Sequence, residues 1–351
     1  MLKLDDYFAS EIIGYTPALA SSTFEMLGVD SFDLINLRTG IEIKLGRSIP
    51  DRDWMKVRSP ADIAAIVNPK AVEVAKAAAA GSKVTREYTI GMPQMALSGL
   101  SESWLFKELG DIHWELISQG LRQPSARITD EIGNRLYATF TRIAISNSDP
   151  LSAYAENEAL QITGSMSRYG AGIFIGDYRG EAGGKSFTAQ AMSSFSKRAA
   201  SGSNKTLLKG QPDIPSDSPI VSLLEKPAFL DEYRSIRDIS PKPAIFECDY
   251  QINPYHDING VGLLYFAAYP TIADTCELRF FNQGNQWAAE HSTVARDVAY
   301  FANSDASETL KFAVLEHVKT TGGSELTSLI SRQDGTPMAL IRTKKKRVPA
   351  G

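Results

Sequence analysis

The chain has 351 residues, 43% of them hydrophobic, and a net charge of −4. That length predicts two or three domains with real cores, and the mild negative charge gives no sign of nucleic-acid binding. Two cysteines, Cys248 and Cys276, without metal-type spacing fit a reducing, cytoplasmic setting rather than a disulfide framework.

The N-terminal MLKLDDYFASEII is acidic and lacks a long apolar core, so it predicts no secretory signal. No run of about eighteen apolar residues occurs, so no membrane-spanning helix is expected. Residues 1–67 read as short helices punctuated by Pro17, Gly28 and Pro50. SPADIAAIV (59–67) closes them, with Ser59 as cap and Pro60 at the first helical position. Within this region LGVDSFDLINL (27–37) passes from loop to helix. After Asp30 and Ser31, the apolar Phe32, Leu34, Ile35 and Leu37 suit one helix face. Ser31 stands at the helix start, its hydroxyl free to cap or to be modified, and the plain reading is an N-cap. Residues 68–84, rich in Ala and Lys and ending in Gly-Ser-Lys-Val, read as a part-helical linker.

From residue 85 the pattern turns to strands: 86–92, 135–145, 169–178, 244–252, 276–282 and 296–303. Two long helical patterns cover 98–117 and 259–277, the second interrupted by Pro270. Residues 198–219 form a polar loop, and RTKKKRVPAG at the end reads as a solvated basic tail.

The two helical blocks repeat. Pro93 matches Pro254, Gly99 matches Gly260 and Trp104 matches Tyr265 at one offset, so one strand–loop–helix unit is used twice. A Gly at a helix start lets a ligand approach unpaired backbone N–H groups, which can hold a developing oxyanion. Gly99 with Leu100, and Gly260 with Val261, are candidates. Each Gly could equally serve only a tight turn or close packing. His256, Asp257 and Asn259 precede the second helix and could orient a thioester, act as acid or base, or cap the helix. His113 lies inside the first helix, where packing is the commoner role. His291 and His317 carry no pattern. In the strand RLYATFTRIAI, Tyr137, Thr139 and Thr141 share one face, and Leu136, Ala138 and Phe140 the other. That face could wall a polar cavity or simply pack. Arg135 and Arg142 are assigned to the opposite face and given no role. GEAGGKS (180–186) misses the phosphate-loop spacing by one residue.

Residues 27–67 resemble the back two-thirds of an acyl carrier protein, with Asp30-Ser31-Phe32 on the family's Asp-Ser-apolar motif and Ile49-Pro50 at matching spacing. The resemblance implies 4′-phosphopantetheine on Ser31, attached by a phosphopantetheinyl transferase. Residues 85–335 resemble a double hot dog protein, through the Asp257-Ile258-Asn259-Gly260 signature. MPQMALSGLSESWLFKELGDIHW with RLYATF is similar to the bifunctional acyltransferase/decarboxylase of leinamycin biosynthesis. The fold so implied is α+β. An all-α carrier bundle (1–67) and linker (68–84) precede a first hot dog (85–225), a second (226–335) and the tail (336–351).

The activity implied takes methylmalonyl (or malonyl) from CoA onto a tyrosine, here Tyr137, and decarboxylates it without a metal. Propionyl (or acetyl) then passes to a carrier, here Ser31 in cis, for a downstream polyketide synthase ketosynthase. A phenol needs help to ionise at neutral pH, and an enolate needs an oxyanion site. Two other readings stay open: a hot dog thioesterase or dehydratase using Asp257 or His256, and a non-catalytic acyl-presenting scaffold. Two hot dogs in one chain can mimic the usual dimer and still pair into a homodimer.

Overall fold

A computed structural model of the protein describes residues 4–67, 81–199, 202–237, 242–282 and 284–348. Helices α1 (Leu4–Glu11), α2 (Ser31–Leu45), α3 (Asp51–Trp54) and α4 (Pro60–Val67) form the N-terminal unit. Apolar spacing along α2 aims Leu37 and Ile41 at Phe8, Ile49 and Ile63, a core sealed from water. α2 stops at Gly46, whose φ of 65° sends its N–H back to Glu42 and Ile43 carbonyls. Arg38 on the same helix binds Glu42 at 3.0 Å and Asp51 at 2.6 Å, fixing α3 against α2.

The larger unit runs from β1 (Lys83–Thr89) through a small hairpin, β2 (Met95–Ala96) and β3 (Gly99–Leu100), into α5 (Glu102–Leu121). β4 (Tyr137–Asn147), β5 (Ala159–Tyr169), β6 (Ile173–Ala182) and β7 (Lys185–Arg198) follow. The connection carries β8 (Leu207–Lys209), β9 (Val221–Leu223) and α6 (Ala228–Arg237). Then come β10 (Phe246–Gln251), α7 (Ala268–Phe281), α8 (Asn285–Glu290), β11 (His291–Tyr300), β12 (Thr309–Thr320), β13 (Gly323–Arg332) and β14 (Pro337–Arg347).

One sheet holds the order β1-β5-β6-β7-β4-β11-β14-β13-β12-β10. Read outward from the centre, both halves have the same order, so β4 matches β11, β7 matches β14 and β1 matches β10. The repeat seen in the sequence is thus a repeat of topology, joined at β4–β11. α5 and α7 share a core with the inner face of the sheet, through residues such as Leu109, Leu116, Ile272 and Cys276. On the outer face α6 packs Phe229, Leu230 and Tyr233 over Ile175, Met192 and Leu340, and Phe32 of α2 joins the same cluster. Among the described residues no helix is long and apolar enough to cross a membrane.

Several expectations are corrected. The first helix starts at Glu102 rather than 98, because Ser101 is its cap and Gly99–Leu100 is a strand. The second starts at Ala268 rather than 259. Pro270 lies in its first turn, where a missing N–H costs nothing, and so marks a beginning instead of an interruption. Residues 276–281, read as a strand, complete that helix. The 169–178 run straddles the β5–β6 turn. The basic tail is β14, an interior strand paired with both β11 and β13. Its charge is tolerated because Lys345 meets Asp274 at 2.7 Å. The linker's helical stretch lies mostly outside the described residues.

Candidate active site

Ser31 is the first residue of α2 and is exposed. The cap is not Ser31 but Asp30, whose Oδ1 accepts from the N–H groups of Phe32 at 2.8 Å and Asp33 at 2.9 Å. Asp33 Oδ2 returns the bond from Asp30 N–H at 3.1 Å, completing a reciprocal capping box. The helix start is therefore satisfied without Ser31, whose hydroxyl has no partner among the described residues.

The N-terminal unit sits on α6 and the outer face of the sheet. The Phe32 and Tyr233 rings meet edge-on at 4.6 Å. Arg237 reaches Asp30 and Asp33, each at 2.9 Å. Arg234 binds Glu11 at 2.7 Å, and Gln211 donates to Glu42 at 3.0 Å. Burial raises the Glu42 carboxyl, with Arg38 opposing. Gly170, at φ 62°, turns the β5–β6 hairpin tightly under α2, and a methyl there would overlap Thr39.

Beside Ser31 the sheet opens. β4 pairs with β11 only from Arg142 to Ser146, against Ala299 to Ala295. Residues 137–141 stay with β7, while Tyr300 stays with β14, and a slit parts the two halves. A cavity of about 250 Å³ occupies it. Asp30, Ser31 and Phe32 line its outer end, Ala138–Thr141 one bank and Tyr300–Asn303 the other, with Asn259, Phe266 and Tyr269 on the inner side. Ser196, Asn204, Lys205, Lys209, Tyr233 and Arg332 add to its polar lining. A second cavity, lined by Leu34, Trp54 and Gln211, also meets Ser31.

Asn259 has a defined orientation. Its Oδ1 accepts from Val261 N–H at 3.1 Å and Leu263 N–H at 3.0 Å, so the side-chain NH₂ is left as the donor group at the cavity. Asn303 is spent on the backbone of Leu264 and Ser304. The phenols of Tyr269 and Tyr300 donate to the carbonyls of Ala302 and Phe266, each at 3.1 Å, and burial raises both pKa values. Thr139 donates to Ser194 carbonyl at 2.9 Å and lies 3.0 Å from Ser196 Oγ. Burial draws the Lys209 ammonium down to about 8.

The equivalent slit in the other half is closed. Asn147 donates to the Val294 carbonyl at 3.1 Å, and Ser152 N–H to Ser292 Oγ at 2.8 Å. Behind them Thr293 donates to Glu102 at 2.9 Å, and the fully buried Arg296 binds Glu102 and Asp274, each at 2.7 Å. Gly99, at φ 104°, is forced by packing, since a Cβ would overlap Leu151 and Ser152. Leu100 is buried and strand-paired. Gly99 and Leu100 therefore offer no oxyanion site, and Gly260 lies in an exposed turn rather than at a helix start.

The other sequence candidates divide. Thr139 and Asn259 line the cavity with Ser31. Tyr137 does not line it: it is half-buried on β4, opposite Ser196 and one alternation from Thr139, both of which do. The Arg135 guanidinium lies 5.0 Å above the Tyr137 ring, because positions two apart share a strand face. A β-bulge before Arg142 brings that residue outward too, to Asp297 at 2.9 Å. Asp257 is buried, accepting from Tyr250 at 3.0 Å and Asn253 N–H at 2.7 Å, and holds a turn. His256 is exposed. His113 is fully buried, 2.7 Å from both Tyr178 Oη and Ser193 Oγ, and burial takes its pKa down to about 3. Neither histidine nor Asp257 reaches the cavity. Sequence reasoning missed Ser196, Lys209, Asn303, Phe266 and Arg332, which only strand pairing brings together.

Residues 8–67 match the phosphopantetheine attachment site family. The chain carries an acyl carrier domain. Its exposed Ser31, free of capping duty and facing two cavities, fits that prosthetic group. Comparison with curated proteins returns no match. Among solved structures, a Lactobacillus plantarum protein described as an oleoyl thioesterase superposes with a TM-score of 0.57 at 12% identity, over 77% of this chain and 98% of its own. The 12:0-ACP thioesterase of Umbellularia californica gives 0.54 at 10%, over 76% and 94%. An acyl-ACP thioesterase of Bacteroides thetaiotaomicron gives 0.52 at 13%, over 76% and 98%. At such identities the likeness is one of fold, a hot dog fold behind a carrier domain.

Proposed function

We propose that the chain is a self-loading acyltransferase/decarboxylase built on a double hot dog. It takes methylmalonyl or malonyl from CoA and leaves propionyl or acetyl on its own carrier domain. The observation that carries this reading is the position of Ser31 at the outer end of the slit between the two halves. The cavity of about 250 Å³ is small beside the about 300–1,000 Å³ usual for ligand sites, which favours a short acyl group.

In this reading the Tyr137 phenol oxygen, on β4 beside Arg135 and two positions from Thr139, attacks the CoA thioester, and the CoA thiol leaves. Loss of carbon dioxide pushes the C–C electron pair into the ester carbonyl. The Asn259 NH₂ group supports the charge that develops, and the resulting enolate takes a proton from water. Ser196, positioned by Thr139, orients the carbonyl with its hydroxyl. A phosphopantetheine arm on Ser31 would supply the thiol that attacks the aryl ester; the acyl–oxygen bond breaks, the thioester forms and the Tyr137 phenol takes back the thiol proton. Ser31, Lys209 and Thr139 would hold the arm. A phosphopantetheinyl transferase must install it, and a polyketide synthase ketosynthase would draw on the product.

Among the described residues the larger unit contributes no carboxylate or imidazole to the cavity. The deciding experiment is intact mass of the pantetheinylated chain after incubation with methylmalonyl-CoA. A propionyl-sized increment on the arm is expected, with Tyr137→Phe abolishing it. Free propionate with a bare arm would support a thioesterase instead.

A further inference from the structure

We propose that Lys209 is the binding site for the phosphodiester that joins a phosphopantetheine arm to Ser31. The inference rests on the reading of Ser31 as the arm-bearing residue. Lys209 ends β8, paired with Ser196 of β7, and lines both cavities that meet at Ser31. Its Nζ donates to Ser194 Oγ at 3.0 Å, a neutral acceptor, and no carboxylate lies within ion-pair distance among the described residues.

The neighbouring cations differ. Arg234 and Lys226 are bound to Glu11, Arg237 to Asp30 and Asp33, and Lys205 to Glu308. Their charge is already matched across the interface or within the larger unit, while Arg332, on the same cavity, has its guanidinium on the Asn303 carbonyl and lies with the larger unit rather than on the second cavity at Ser31. The charged and titratable groups lining the two cavities with Lys209 are Asp30 and Arg38 from α2, Tyr233 from α6, Tyr269, Tyr300, Lys205 and Arg332, and Arg38 is bound to Glu42 and Asp51. A half-buried ammonium with only a hydroxyl partner is an uncompensated cost unless an anion arrives. The phosphodiester is the first group beyond Ser31 Oγ and carries one negative charge at any physiological pH. Being bonded to Oγ, it cannot leave this corner. The remaining pantetheine is uncharged, which suits the slit's hydroxyls and aromatic walls.

CoA carries phosphate at the same end of pantetheine, so the experiment separates the two sources. The side-chain titration of Lys209 is followed by NMR, assigned with Lys209→Met. The samples are the unmodified chain, the pantetheinylated chain, and Ser31→Ala with added CoA. The expected result is a pKa raised by about one unit or more on pantetheinylation and by clearly less with CoA in Ser31→Ala. No shift on pantetheinylation overturns the proposal. A shift produced equally by CoA reassigns the site to the acyl donor and also overturns it.

A parallel arm uses acceptors in solution with the Ser31→Ala chain. Transfer should favour phosphopantetheine over pantetheine by about tenfold, Lys209→Met should erase the preference and Lys209→Arg restore it. If the titration shifts but no acyl group moves to any acceptor, the proposed activity fails and the phosphate site stands. If Ser31 takes no arm at all, both fall.

Discussion

Arg237 donates to both carboxylate oxygens of Asp33, at 2.9 and 3.1 Å, two residues beyond Ser31. With its other terminal nitrogen on Asp30, the guanidinium ties the arm-bearing helix to α6 and so to the slit. The pair is mostly shielded from water, so it is worth more than a surface ion pair. Replacing Arg237 by Ala should loosen docking by about 1.5–3 kcal/mol, roughly ten- to a hundredfold. Self-loading should slow accordingly. Transfer to free pantetheine should be unchanged, because Arg237 lies outside the slit. A matched loss in both assays would mean that α6 itself unfolds.

Asn259→Asp separates structure from chemistry. The aspartate keeps the oxygen that accepts from Val261 and Leu263, so the turn survives. It loses the NH₂ donor and places negative charge where the enolate forms. Turnover should drop about 10²–10³-fold, with the urea midpoint nearly unchanged. Turnover within a few fold of the parent would remove Asn259 from the reaction.

The part of the site legible in the sequence is the part held by local geometry. Asp30 and Ser31 stand next to an amphipathic helix, so a helix start with a Ser can be read from a handful of residues, although the cap expected at Ser31 is supplied by Asp30. The repeat was legible because Pro and Gly recur at one offset. Ser196, Lys209 and Arg332 were not, since strands far apart in sequence bring them to one cavity. Lys209 looked like one lysine in a polar loop. The basic stretch of β14 was misread for a related reason. Lys345 is balanced by Asp274, about seventy residues away, a pairing that charge runs do not reveal. Asn259 was found, but its helix was started too early, because an Asx-type turn and a helix cap look alike until the following backbone is seen.

His113 gives a pH prediction. Burial takes its pKa down to about 3, against about 6.5 in an unfolded chain. Between those values the unfolded state binds the proton and the folded state does not. Stability is therefore fully present above about 6.5 and is lost as pH falls toward about 3, at up to about 1.4 kcal/mol per unit. His113→Gln can keep hydrogen bonds to Tyr178 and Ser193 and has no proton to gain. Urea midpoints measured from pH 7 to 4 should fall less steeply in the variant. Parallel slopes would mean that His113 is protonated in the folded protein.

Gly110 sets two effects against each other. It lies inside α5, where Ala in place of Gly ordinarily stabilises by about 1 kcal/mol. A methyl at this position would overlap the Phe266 ring, however. That ring lies 4.3 Å from Phe140, and both line the cavity, so it cannot yield without moving into the space an acyl group needs. Overpacking costs about 1–3 kcal/mol and outweighs the propensity gain. Gly110→Ala should therefore be less stable by about 1 kcal/mol and load its arm at least several-fold more slowly. Malonyl should suffer less than methylmalonyl, because it is one methyl smaller. A variant that is more stable and loads both groups normally would show that the rings have room to spare, and that the slit is wider than the packing of α5 against Phe266 implies.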